Sequence, residues 1–323
     1  MQKKRIFMWD NIKFLLIILV VIGHFVNPYT KNSGIFKSIF IWIYAFHMPL
    51  FILISGMFHK NERIVEKVFS YIMIGVLCRT LISVVQASLA GKKLKINYFS
   101  EESVPWFMYA LAAFVLLQYL LRNVDQRKVL VLSIIFACMA GYDSSIGDFL
   151  CVSRIIVFYP FYVMGGMINK EFLLRQSEKK QYKVLGGTIL AVWGLLCIFA
   201  LDVCYKLRPI MTARNSYSKL DSFYAWGGGV RLFWFALSFI LCLAVIWVTP
   251  TKKIPVISGF GTRTLQVFFW HKALLVVLLA FPFVDIMVAT GTGKIIYMVL
   301  ALGVTFVCSL KPFAFPTKWI MKH

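Results

Sequence analysis

The side chains whose type suits proton or anion chemistry are His24, His47 and the pair His271-Lys272, with Lys13, Arg79 and Arg154. All sit in or beside apolar runs. An imidazole, with a pKa near ~6.5, is the side chain best poised to take a proton at neutral pH. His24 stands eleven residues after Lys13, about three helical turns, so the two share a helix face. Asp10, Lys13, Ile17, Val20, His24 and Asn27 follow the three-four spacing of a single stripe. Four of these six residues are polar, in a segment otherwise suited to lipid. Polar groups are costly in hydrocarbon, so the stripe must face protein or a wet cavity. A buried histidine can also serve only as a packing partner between helices.

His47 lies in Ala45-Phe46-His47-Met48-Pro49-Leu50-Phe51. Pro49 lacks a backbone donor, so it frees a carbonyl and kinks a helix. His47 is then either a site residue or the group that satisfies that carbonyl. Arg79 falls near the middle of an apolar run, where a guanidinium costs at least ~2.5–3.5 kcal/mol on insertion scales and needs an anionic partner. Carboxylates are few in these runs, so a bound anionic ligand is the economical partner. Arg154 opens an aromatic run ending at Gly165-Gly166, as an interfacial anchor or a site residue. His271-Lys272 follow Ser258-Gly259-Phe260-Gly261-Thr262-Arg263-Thr264, a turn that either holds an anion at a helix N-terminus or is only a turn. His59 and His323 read as solvent-facing loop residues.

The sequence holds no G-x-S-x-G elbow, no HExxH, no P-loop and no serine or cysteine nucleophile beside a base. Its seven cysteines are scattered without metal-ligand or redox spacing and read as small buried hydrophobes, so no metal is expected. The remaining inventory suits direct acyl transfer: a base removes a proton from an acceptor hydroxyl while cations hold an anionic donor. Two alternatives are a transporter or flippase of an envelope precursor using the same polar cavity, and a non-enzymatic partner in envelope assembly.

The elements that must position these groups are helices in lipid. Of 323 residues, 60% are hydrophobic, and the mean hydropathy is +0.78, above the roughly 45–50% apolar content of soluble domains. Repeated long apolar runs indicate an all-α polytopic membrane protein. Ten spans are predicted: 14–29, 35–58, 69–89, 105–121, 129–142, 155–168, 184–201, 230–248, 264–283 and 295–310. The fifth and sixth are short and open to tilting or breaks. Lys/Arg asymmetry between the loops places both termini in the cytoplasm. The net charge of +22 fits that topology and attraction to anionic membrane lipid. The basic residues lie in short separate loops, so no nucleic-acid partner is expected. Loop 202–229, the longest outer one, carries Lys206, Arg208, Arg214 and Lys219 and is either a surface for an external acceptor or an ordinary solvated loop. Residues 1–323 are read as one membrane domain, with a retained first helix rather than a cleaved signal.

The chain resembles the acyltransferase-3 family of membrane acyltransferases, in particular its fucose 4-O-acetylase-like branch. The resemblance rests on the basic residue–ten residues–histidine pattern from Lys13 to His24. Four further stretches agree in order: Phe46-His47-Met48-Pro49-Leu50-Phe51 with Ser55-Gly56, Pro105-Trp106-Phe107-Met108, Arg154 to Gly165, and Gly261-Thr262-Arg263-Thr264 to His271. The resemblance implies a ten-helix fold in a bacterial plasma membrane, acyl-CoA (usually acetyl-CoA) as cytoplasmic donor, and O-acetylation of a sugar hydroxyl on an envelope or exported glycan. It implies His24 as catalytic histidine and Lys13 as its basic partner, where the family often has arginine; lysine keeps the charge but loses the bidentate fork. Arg79 matches the family's third-span arginine. His47 is expected to orient His24 or meet the acceptor, and Lys13, Arg79 and Arg154 to bind the donor. Envelope glycan-synthesis proteins are possible partners.

Overall fold

The computed structural model describes residues 5–100, 103–147 and 149–321, without the side chains of 221–222; Lys3, Lys4 and His323 lie outside the described residues. The chain begins with α1 (Phe7–Val26), α2 (Gly34–Tyr44), α3 (His47–Met57) and α4 (Ile64–Ala90). There follow α5 (Trp106–Leu120), α6 (Gln126–Met139), α7 (Val152–Met167), α8 (Lys170–Glu178) and α9 (Lys180–Phe199). Two short helices, α10 (Leu201–Tyr205) and α11 (Arg208–Thr212), precede α12 (Gly227–Val248). The last part contains α13 (Ile257–Phe260), α14 (Thr264–Leu279), α15 (Phe283–Ala289), α16 (Gly291–Cys308) and α17 (Thr317–Ile320). No strand occurs among the described residues beyond one isolated bridge, Ser100 to Phe149.

Each of the ten predicted spans falls on helix. Fewer than ten meet the length and apolarity needed to cross a membrane. Among the described residues six helical stretches do, and up to eight if each bent pair counts as one span. The pairs are α7 with α8, bent by 81°, and α14 with α15, bent by 91°. Helix α6 has only 14 residues, about 21 Å at ~1.5 Å per residue, short of the ~30 Å hydrocarbon core.

Helix α1 is the element around which the others pack. It touches α2, α3, α13, α14 and α16, and most of its residues are buried. Asn11 ties it to α13 and the loop before it: its Nδ2 donates to the carbonyls of Pro250 (2.9 Å) and Lys252 (3.0 Å), and its Oδ1 accepts from Ser258 Oγ of α13 (2.6 Å). The second predicted span is broken at residues 45–46, between α2 and α3. Pro49 sits in the first turn of α3, where a missing donor is tolerated. The carbonyl it would have bonded, that of Ala45, accepts instead from Ser238 Oγ of α12 at 2.5 Å.

Helices α3 and α7 cross at glycines. A Cβ added at Gly56 would lie 2.0 Å from the Tyr162 carbonyl oxygen, and one at Gly165 2.0 Å from that of Leu53. Loop 202–229 is largely structured. Arg231, fully buried on α12, donates from Nη1 to the Ile210 carbonyl at 2.8 Å, and Ser153 Oγ donates to the Ala213 carbonyl at 2.7 Å. Both contacts fold the segment carrying Arg208 and Arg214 back over the helices.

Candidate active site

Three adjoining spaces, which share lining residues, run along α1. The first is a basic mouth of about 250 Å³ lined by Lys13, His59, Lys60, Lys67, Tyr71 and Tyr162. It shares Lys13, Ser55 and Tyr71 with a mostly apolar channel of about 370 Å³, which continues past Ile17 and Val20 to His24. The channel shares His24, Met48 and Trp106 with a polar chamber of about 540 Å³. His24 therefore stands at the junction of two spaces of opposite character. The predicted stripe of α1 is the wall of this path: Lys13, Ile17, Val20 and His24 all line the channel, and Asn27 lines the chamber. Its helical spacing puts His24 about 16 Å beyond Lys13 at ~1.5 Å per residue.

At the mouth, Lys13 Nζ lies 3.0 Å from Asp10 Oδ1, and Asp10 Oδ2 is also bound by Arg5 at 2.7 Å. Asp10 neutralises part of this charge and fixes Lys13 on its face. His59, expected in solvent, is half-buried. Its Nε2 faces Asn61 Oδ1 and its Nδ1 faces the Tyr162 hydroxyl, both at 2.8 Å. If the amide oxygen accepts from Nε2, then Nδ1 accepts from the tyrosine. Burial pushes the His59 pKa below its ordinary value and nearby Lys67 adds to this, while the Asn61 bond opposes it.

Around His24 the structure gathers groups from distant parts of the chain. The His271 ring centroid on α14 lies 5.3 Å from that of His24. His271 is fully buried; its Nδ1 donates to the Val267 carbonyl at 2.9 Å, and its Nε2 has no hydrogen-bond partner among the described residues. His47 is built the same way, donating from Nδ1 to the Ile43 carbonyl at 2.9 Å and packing edge-on against Tyr44 at 4.7 Å. A carbonyl only accepts, so both rings are held with the proton on Nδ1 and a lone pair on Nε2. His47 bonds a backbone carbonyl as the packing reading expects, and it also lines the chamber.

Arg79 and Arg154 line the chamber with His24, on the far side of it from Lys13. The Arg154 guanidinium lies 4.9 Å from the Trp106 ring, an arrangement that holds its plane by cation–π attraction. Lys272, Arg208 and Arg214 line the same chamber. These three and His271 are the residues that sequence reasoning did not assign to the site. The sequence showed the buried His271-Lys272 pair and the basic outer loop, but not that both converge on His24. The glycine turn before α14 does not read as an anion site: a Cβ at Gly261 would lie 2.0 Å from the Asp10 carbonyl oxygen, so the glycine permits close packing of the chain on α1. Among the described residues no group of three or more His, Cys, Asp or Glu is arranged to hold a metal.

Comparison with known proteins identifies the family. A family model described as an acyltransferase domain, of the acyltransferase-3 type, matches residues 8–315. Nodulation protein NolL of Sinorhizobium fredii (strain NBRC 101917 / NGR234) is 27% identical over 213 residues, which are 60% of this chain and 56% of that protein. The match thus spans little more than half of that relative's length. No solved structure matches. With a family match reaching from the first turn of α1 to beyond α16, and with several helices able to span a bilayer, this chain belongs to the acyltransferase-3 family of multi-pass membrane acyltransferases.

Proposed function

We propose that the protein is an O-acyltransferase of the bacterial plasma membrane that moves an acyl group, acetyl in the first instance, from acyl-CoA to a sugar hydroxyl of an envelope or exported glycan. The observation that carries this reading is the position of His24 between the Lys13 channel and the polar chamber. An acyl-CoA is long, with phosphates at one end and a thioester at the other. A mouth with Lys13, Lys60 and Lys67 suits the phosphates, and the apolar channel of about 370 Å³ suits the uncharged arm. The ~16 Å from Lys13 to His24 matches such a donor reaching inward. When bound, it supplies an activated carbonyl at the His24 end of the channel.

His24 takes the proton of the acceptor hydroxyl as general base. The hydroxyl oxygen forms its bond to the acyl carbon, the carbon–sulfur bond breaks, and His24 returns the proton to the departing sulfur. His47, which lines the chamber and keeps a lone pair on Nε2, receives a hydrogen bond from the acceptor and fixes its orientation. Arg79 and Arg154 were expected to help hold the donor; their place in the chamber supports a role with the acceptor instead.

The test is acyl-CoA turnover by the full-length protein in lipid nanodiscs, wild type beside His24→Ala, with a glycan pool from a strain lacking the gene. CoA release that needs both His24 and the pool is expected. Full transfer by a correctly inserted His24→Ala protein overturns the assignment of the base. Absence of acyl-CoA binding in wild type overturns the acyltransferase reading and favours a transporter.

A further inference from the structure

We infer that the acceptor is an anionic sugar, bearing a carboxylate or phosphoryl group that the polar chamber holds while a hydroxyl of the same molecule meets His24. The inference rests on the acyltransferase reading and specifies its acceptor.

The argument starts from charge placement. Five cations line the chamber: Arg79, Arg154, Arg208, Arg214 and Lys272. Among the described residues no Asp or Glu lines it. Two of the five carry the case. Arg208 is positioned by neutral partners: its Nη2 donates to Asn27 Oδ1 at 3.1 Å, and its guanidinium lies 5.1 Å from the Phe40 ring and 5.6 Å from the Tyr205 ring. These contacts aim a planar fork without neutralising it, the form in which arginine recognises carboxylate and phosphate. Lys272 is half-buried on α14, one residue from His271, and adds a point charge near His24. Arg208 and Lys272 place like charges on one partly desolvated space, where they repel, and a bound anion relieves that repulsion.

The donor does not account for this second set of cations. Acyl-CoA carries all of its phosphates at one end. With its thioester at His24 and its phosphates at Lys13, Lys60 and Lys67, nothing anionic on it reaches the chamber beyond His24. Basic groups on both sides of one histidine therefore answer two different anions. The chamber's polar lining also includes Gln86, Asn97, Ser100 and Thr212, which suits sugar hydroxyls better than an apolar chain.

The experiment uses full-length protein in nanodiscs, radiolabelled acetyl-CoA and glycans from a strain lacking the gene. The ester-labelled product is passed over an anion exchanger at neutral pH. Retention of the label, with its release as acetate by mild base, is the expected result; graded acid elution then separates carboxylate from phosphoryl bearers. Label in the neutral flow-through overturns the anionic acceptor while leaving acyl transfer intact. No ester-linked label in any fraction overturns the acyltransferase reading, and this inference with it. In steady state with the isolated acceptor, Arg208→Gln and Lys272→Gln should each raise its KM at least tenfold, with Lys272→Arg recovering most of it and Arg208→Lys, which keeps the charge but loses the fork, recovering only part. A rise in the KM for acetyl-CoA instead, in folded variants, assigns these cations to the donor and overturns the proposal.

Discussion

His24 gains its importance from its surroundings more than from its type. His24 and His47 line the chamber and His271 packs against His24, but among the described histidines only His24 borders both channel and chamber. His47 and His271 each commit Nδ1 to a carbonyl one helical turn earlier, which fixes their tautomers. A general base contributes typically ~10²–10⁴-fold, so His24→Ala should lower acyl transfer by about that factor, measured as CoA release under saturating donor. His59 offers a pH test away from the membrane interior. Its folded pKa is depressed by burial, so the unfolded chain binds the extra proton first as pH falls. The stability that His59 contributes is complete above its ordinary ~6.5 and declines as pH drops below it. In Tyr162→Phe the neutral ring loses its hydroxyl partner, so the His59 NMR titration midpoint should move upward; an unchanged midpoint would show that this bond is not felt.

At the scale of helices, close approach and repaired breaks hold the site in place. The crossing of α3 and α7 leaves no room for a Cβ at Gly56 or Gly165. Gly165→Ala should separate these helices and lower thermal stability in detergent by ~1–3 kcal/mol. Gly187→Ala on α9, where an added Cβ meets nothing within 4 Å, should be neutral or slightly stabilising, since alanine favours helix by about 1 kcal/mol. Equal effects of the two would mean that the crossing is looser than described. Ser238 is the partner of the carbonyl released by Pro49. Its loss in Ser238→Ala leaves that buried acceptor short of a donor, a cost of about 1–3 kcal/mol, and loosens the break that presents His47. The broken span was legible from Pro49 alone. Its position at residues 45–46, and Ser238 as the compensating donor, were not, because they depend on a helix almost two hundred positions later.

For the whole molecule, the row of adjoining spaces from mouth to chamber makes a prediction of its own. Ile17 and Val20 line the channel between Lys13 and His24. Val20→Trp should narrow it and raise the KM for acyl-CoA more than tenfold while the protein still inserts and folds, as read by kinetics beside a melting curve. An unchanged KM would mean that the donor reaches His24 by another route.

The sequence by itself determined the helical class, the family, and the stripe from Lys13 to Asn27, because each of these follows from local composition and from a period fixed by helix geometry. It also marked His47 and the buried cations by the cost of placing them in lipid. Only the tertiary structure decided that His271 and Lys272 face His24 across more than two hundred residues, that Arg208 and Arg214 fold back over the chamber, and that Arg79 and Arg154 lie beyond His24 rather than beside Lys13. The division has a physical cause. A helix's own period says which residues share a face, but which other helix covers that face is set by side-chain packing and close glycine contacts between segments far apart in the chain.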